Sequence, residues 1–259
     1  MYIFVEEYVG GLGNQLYQYC NLIYLSKIYN KIPIMLEQDI SYGFVKSIVY
    51  KNIFNLVEKN KIEVYKDLYY INYEQFEEKN YDLNLDLKSY NICLKGLNMN
   101  IYNFKYILND IRNILNIKES IIENNCLISF RSFNEESRHE WRISEEYYKK
   151  AIEYAIKNID NVYFTIFTDD YNYTYNIIKN IPQLNEKYTI YIGKRDGITD
   201  IEHFKKMMNS NHAILCNSSF ATWSMILNNN DNGHKIIIPC NTFLDNTGIN
   251  ELIGDIIKI

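Results

Sequence analysis

Apolar and polar positions along the chain alternate between two periods. Met1 to Val9 is a short, mostly apolar run that predicts a strand, and Asn14 to Tyr29 carries apolar residues at helical spacing. Ile32 to Leu36 predicts a further strand. Weaker helical and strand patterns follow to about residue 117, ending in a helical pattern over Tyr102 to Leu115.

The second half alternates more cleanly. Strand-like runs cover Cys126 to Phe130, Val162 to Phe167, Thr189 to Ile192, Ala213 to Cys216 and Lys235 to Ile238. Helical patterns lie between them at Ser144 to Lys157, Tyr171 to Lys179, Ile201 to Met208 and Ser219 to Asn228. Ser144 reads as an N-cap, with Glu145 and Glu146 suited to the positive first turn of the helix. Strands alternating with helices imply crossover connections and a mainly parallel α/β sheet. Two such halves, 1–120 and 121–259, predict two Rossmann-like domains facing a central cleft. Ligands of such sheets bind beyond the carboxyl ends of the strands, and the motifs below all fall at those ends.

Bulk properties narrow the function. The 259 residues are 47% hydrophobic and 23% charged, ordinary for a globular protein. A net charge of -5 argues against a general nucleic-acid binder. Five cysteines, at 20, 93, 126, 216 and 240, form no Cys-x-x-Cys pair. They read as reduced, mostly buried thiols of an intracellular protein, and a cytoplasmic location is expected. The four histidines lack metal-ligand spacing, so no metal is expected. No apolar run is long enough to span a membrane, while a peripheral membrane contact stays open. Asn217-Ser218-Ser219 is a glycosylation sequon inside a candidate site, which also favours a compartment where it would stay unmodified.

Four segments carry candidate chemistry. Gly10-Gly11-Leu12-Gly13-Asn14-Gln15-Leu16 links the first strand to the first helix. Leu16 occupies the third glycine position of a dinucleotide fingerprint, and no lysine follows Gly13 as a P-loop requires. A tight turn before a helix remains the simplest reading. Arg131, after the strand ending at Phe130, can clamp a pyrophosphate bidentately or simply pair with a nearby acid. Asp169 and Asp170 can accept hydrogen bonds from a base or ribose, or cap a helix. Two adjacent carboxylates are a poor metal signal. Ala213 to Trp223 feeds an apolar strand into a helix at Asn217-Ser218-Ser219-Phe220, where hydroxyls and helix N–H groups suit an anion.

Together these segments resemble glycosyltransferase family 11, the α-1,2-fucosyltransferases. Gly-Gly-Leu-Gly-Asn-Gln-Leu-Tyr-Gln-Tyr looks like the family's opening motif. Phe167-Thr168-Asp169-Asp170 resembles its Phe-x-Asp-Asp segment, and Asn217 to Trp223 its Asn-Ser-Ser-Phe helix. The family's His-x-Arg-Arg-Gly-Asp pattern survives only as Arg131: Ser129, Ser132, Phe133 and Asn134 replace its His, second Arg, Gly and Asp. The resemblance covers the first twenty residues and most of 125–240.

What the resemblance implies is a GT-B-like architecture, with the acceptor on the N-terminal domain and the nucleotide sugar on the C-terminal one. The donor would be GDP-fucose, the acceptor a carbohydrate, and the reaction inverting, α-1,2-directed and free of cofactors and metals. Donor contacts would come from Gly11, Gly13, Gln15, Arg131, Asp169, Asp170, Asn217, Ser218, Ser219 and Phe220. Catalysis would involve Arg131, Asn14 and a general base among Glu136, His139 and Glu140. Two alternatives stay open. One is a different nucleotide-deoxyhexose donor, and the other a degenerate member that binds nucleotide or glycan without turnover.

Overall fold

A computed structural model describes residues 1–36, 56–57, 67–72, 87, 89–97, 104–114, 121–133, 140–184, 187–192, 200–228, 233–240, 249 and 256–259. The chain divides into two compact units, Met1–Ile117 and Lys118–Ile259.

In the first unit, β1 (Tyr2–Val5) leads to α1 (Leu12–Ile28) and then to the short strands β2 (Ile32–Pro33), β3 (Met35–Leu36) and β4 (Leu56–Val57). β5 (Leu68–Asn72), β6 (Asn91–Lys95) and α2 (Leu108–Ile114) follow. A parallel sheet runs β2-β1-β6-β5, and β3 pairs with β4 separately. The single strand expected over Ile32 to Leu36 is therefore two. The backbone changes partner at Ile34, whose N–H still bonds Ile3 O at 2.9 Å. The helix expected over Tyr102 to Leu115 is shorter, because a 3-10 turn at Phe104–Tyr106 precedes α2; residues 102, 103 and 115 lie outside the described set. α1 is buried nearly all round, Gln15, Gln18 and Asn21 included. Its polar residues must therefore find partners inside the protein.

The second unit contains β7 (Ile122–Phe130), α3 (Glu145–Asn158), β8 (Tyr163–Thr168), α4 (Tyr171–Ile178) and β9 (Tyr188–Tyr191). α5 (Asp200–Met208), β10 (Ser210–Ile214), α6 (Ser219–Leu227), β11 (Ile236–Ile238) and β12 (Ile256–Lys258) complete it. Every pairing is parallel, and the order is β12-β11-β10-β7-β8-β9. That is the Rossmann order: the chain winds outward from β7 through β8 and β9, then returns to β10 and winds the other way. Ligands of such sheets sit at the reversal, between the first and fourth strands. Here that crevice lies between β7 and β10.

Helices cover both faces. Tyr147, Tyr148, Ala151, Ile152 and Ala155 of α3 pack with Cys126, Ile128, Phe164 and Ile166 in one core. α5 lies on the opposite face, where His203 meets the edge of Phe167 at 4.9 Å. Caps are as the sequence predicts for α3: Ser144 Oγ accepts from Tyr147 N at 3.2 Å. At the amino end of the sheet, buried Asn125 ties three strands. Its amide donates to Ser210 Oγ at 2.9 Å, and its carbonyl accepts from Thr165 Oγ1 at 2.7 Å.

Two details depart from the sequence reading. β10 starts at Ser210, and not at Ala213, because Ser210, Asn211 and His212 are buried polar residues with partners. Asn211 donates to Glu123 O at 3.0 Å, and His212 Nδ1 accepts from Lys235 N at 3.0 Å. Burial holds His212 below the usual histidine range, helped by Lys235 and His234, which keeps that nitrogen able to accept. β12 carried too short an apolar run to be read as a strand.

Candidate active site

In the first unit, the glycine loop leaves the carboxyl end of β1. Gly10 is its strained point, with φ at +72°. A Cβ there would lie 2.4 Å from Asn14 Nδ2, so the Asn14 side chain folds directly against the Gly10 backbone. Gly11 behaves differently. Its φ is -77° and a Cβ on it would meet nothing within 4 Å. The loop therefore needs one glycine for its own conformation, not three. Gly11 is the N-cap of α1 and exposed, whereas Gly13 is buried in the first turn. Asn14 is the third helical residue and half-buried.

The two glutamines of the motif hold this loop. Gln15 is buried and its amide donates to Gly10 O at 3.0 Å. Gln18 accepts from Val9 N at 2.9 Å and donates to Glu7 O at 2.8 Å and Gly96 O at 3.0 Å. Gly10→Ala should destabilise the protein by about 1–2 kcal/mol, from the left-handed backbone alone, and dislodge Asn14. Gly11→Ala should cost less, at most about 1 kcal/mol, the difference between Gly and Ala at an N-cap. Denaturant midpoints check both, and equal effects would contradict this division of roles.

In the second unit, the crevice between β7 and β10 gathers the remaining motifs. Arg131 follows β7, and its Nη1 lies 3.0 Å from Asp169 Oδ2 at the end of β8. The other Asp169 oxygen accepts from Ser132 N at 2.8 Å. Asp169 thus orients the arginine and fixes its loop with one carboxylate. Asp170 is the N-cap of α4, accepting from Tyr173 N at 3.0 Å. The two acids have separate structural duties, which the sequence left open.

Across the crevice, Ser218 caps α6 by accepting from Ala221 N at 3.4 Å. Ser219 and Phe220 open the helix, where a helix provides no intrahelical partners for its first N–H groups. Asn217 donates to Trp141 O at 3.1 Å. Ser129, standing where the family has histidine, joins the two walls: it is buried, and its hydroxyl accepts from Cys216 N at 2.9 Å. The Tyr147 hydroxyl lies 2.7 Å from Leu215 O and 3.1 Å from Ile237 O, and Tyr148 donates to Ser129 O at 3.2 Å. These bonds brace the carboxyl edge from below. Burial pushes the Cys216 thiol up to about 11; the Ser129 hydroxyl opposes the rise and the nearby Asp169 carboxylate adds to it.

Phe133 has a φ of +44°, in the left-handed region that favours glycine. This is the position at which the pattern resembled by the sequence carries Gly. The Phe133 ring lies 5.7 Å from Arg131 Cζ and meets Trp141 edge-on at 5.9 Å. Sequence reasoning missed Trp141 and Arg142, which sit just ahead of the α3 cap. Arg142 Nε donates to Ser132 O, and its guanidinium lies 5.6 Å from the Tyr173 ring. Glu140 is exposed, while Glu136 and His139 lie outside the described residues. No group of three metal-ligating side chains occurs among the described residues. None of their helices is long and apolar enough to cross a membrane.

The family model for Glycosyl transferase family 11 matches residues 3–247. The chain belongs to that family. Glycosyl transferase family 11 comprises the α-1,2-fucosyltransferases, and the family resemblance read from the motifs holds over nearly the whole chain. No curated protein sequence matches this family 11 chain. Its structure is similar to that of POFUT1 in complex with GDP-fucose, at 8% identity and a TM-score of 0.51, over 92% of this chain and 97% of that one. It is also similar to a mutant of Arabidopsis thaliana FUT1 in complex with GDP, at 10% identity and a TM-score of 0.54, over 92% and 69%. The fold of this family 11 protein is α/β and GT-B-like, with every strand pairing among the described residues parallel.

Proposed function

We propose that this glycosyltransferase moves fucose from GDP-fucose to a glycan hydroxyl in α-1,2 linkage, with inversion and without a metal or other cofactor. The observation that carries this reading is the pairing of β7 with β10, which brings the strand end leading to Arg131 and the one leading to the Ser218–Phe220 helix end to the same carboxyl edge. A guanidinium and a helix N-terminus facing one crevice suit a diphosphate. POFUT1 with GDP-fucose and FUT1 with GDP share the fold, which supports the choice of donor.

In the reaction, the acceptor oxygen forms a bond to the anomeric carbon from the face opposite the diphosphate. The bond from that carbon to the phosphate oxygen breaks, and GDP leaves with the electron pair through an oxocarbenium-like transition state. A carboxylate or imidazole takes the acceptor proton; Glu140, Glu136 and His139 are the candidates. Arg131 and the α6 end offset the charge growing on the diphosphate. Asn14 is assigned to orienting the sugar or acceptor. The protein acts in the cytoplasm in this reading.

A screen of GDP- and UDP-sugars by thermal shift, followed by linkage analysis of the product, tests the donor and the linkage together. Stabilisation by another nucleotide-deoxyhexose alone would replace fucose in this reading. Ser219→Ala should weaken GDP binding roughly ten- to a hundredfold, the loss of about one hydrogen bond to a charged group. An unchanged affinity by calorimetry would return Ser219 to helix opening only. The serines at 129 and 132 support a second reading, nucleotide binding without turnover. Slow hydrolysis of the donor in the absence of acceptor would eliminate it.

A further inference from the structure

Among the described residues, the motif positions bring one guanidinium, that of Arg131, to the crevice. Arg131 shares its charge with Asp169 at 3.0 Å. Ser132, where the family pattern carries a second arginine, is neutral and buried. A nucleoside diphosphate leaving without a metal carries several negative charges, and one carboxylate-paired guanidinium beside a helix end is a weak counterweight.

A second guanidinium does reach this loop. Arg142 lies ten residues further along the chain, but its Nε donates to the carbonyl of Ser132 itself. That bond places it beside the backbone position from which the missing arginine would have extended. Its guanidinium carbon lies 5.6 Å from the Tyr173 ring centroid, within reach of a cation–π contact. Tyr173 senses both ends of the cluster. Burial pushes its hydroxyl up to about 12, with the Arg142 charge opposing the rise and the Asp169 carboxylate adding to it. Arg142, Asp169 and Arg131 therefore share one electrostatic neighbourhood at the carboxyl edge of β7 and β8.

We propose that Arg142 is a donor-binding residue that supplies, from the entry to α3, the second diphosphate-directed positive charge that Ser132 cannot. The inference rests on the diphosphate reading of the crevice. Arg142 does what a residue at 132 would otherwise do, from a different point on the chain. The bond to Ser132 O holds its charge at the loop that carries Arg131. Electrostatic stabilisation depends on where the charge sits, not on which residue carries it.

The test uses the full chain, with GDP as the calorimetric probe, at two ionic strengths. Arg142→Gln keeps an N–H donor at the position of Nε but removes the charge and the fork; Arg142→Lys keeps the charge but loses the fork. Arg142→Gln should bind GDP roughly ten- to a hundredfold more weakly, with Arg142→Lys between it and wild type. The Arg142→Gln affinity should also depend less on salt, and melting temperatures should match. Wild-type affinity in Arg142→Gln would overturn the inference. Equal losses in both variants together with lowered melting temperatures would also overturn it, leaving Arg142 as a support for the Ser132 loop. A wild type that fails to bind GDP would overturn the donor reading itself, and this inference with it.

Discussion

Arg131→Ala should reduce sugar transfer by about 10²–10³-fold while leaving the fold intact. The side chain is about half exposed, at 47%, so its ion pair with Asp169 contributes little to stability. Its loop keeps a second anchor, because Asp169 still accepts from Ser132 N at 2.8 Å. What the variant loses is a guanidinium at the strand reversal, where charge would build in the proposed reaction as the nucleotide departs. A donor turnover assay read beside a thermal melt separates the two roles. Near-native turnover would remove Arg131 from the mechanism. A large drop in melting temperature would make the Arg131–Asp169 pair a structural brace instead.

Trp223→Ala should produce the largest loss of stability, about 3–5 kcal/mol. Trp223 is wholly buried, one turn into α6 from the end that carries Ser218, Ser219 and Phe220. Removing the indole leaves a cavity that neighbouring side chains fill only in part, and the helix end loses its fixed pose. Weaker GDP binding should therefore accompany the lower unfolding energy. Denaturant unfolding measures the first effect and calorimetry the second. A cost under about 1 kcal/mol would mean that the site closes over the gap, unlike most large-to-small core changes.

The sequence made the second unit more legible than the first, for a physical reason. Strands buried on both faces are continuous apolar runs, so Cys126 to Phe130 and Val162 to Phe167 were placed to within a few residues of β7 and β8. Strand order was not legible, since alternation of strands and helices is the same for any winding. The reversal at β7 and β10, which brings Arg131 toward the α6 end, needed the structure. The glycine loop is legible from its composition, but the division of roles within it is not. Gly11 adopts a backbone open to any residue, and Gln15 and Gln18 turn inward to hold the loop. Arg142 and Trp141 escaped notice because residues between a strand and a helix follow no period. Their role comes from contacts with Ser132, Asn217 and Phe133, all distant from any pattern.

The burial of four of the five thiols has a practical consequence. Cys20, Cys93, Cys126 and Cys216 are enclosed, and desolvation pushes each thiol up, that of Cys93 to about 12, so little thiolate forms at neutral pH. Cys240 alone is exposed, two residues beyond β11 at the carboxyl edge of the same sheet. A maleimide dye would therefore attach at one address, without any cysteine being removed. That address is anchored, since Cys240 N bonds Ile259 O at 3.1 Å. The wild-type protein thus carries its own labelling handle, on the edge of the sheet where a bound nucleotide would be reported.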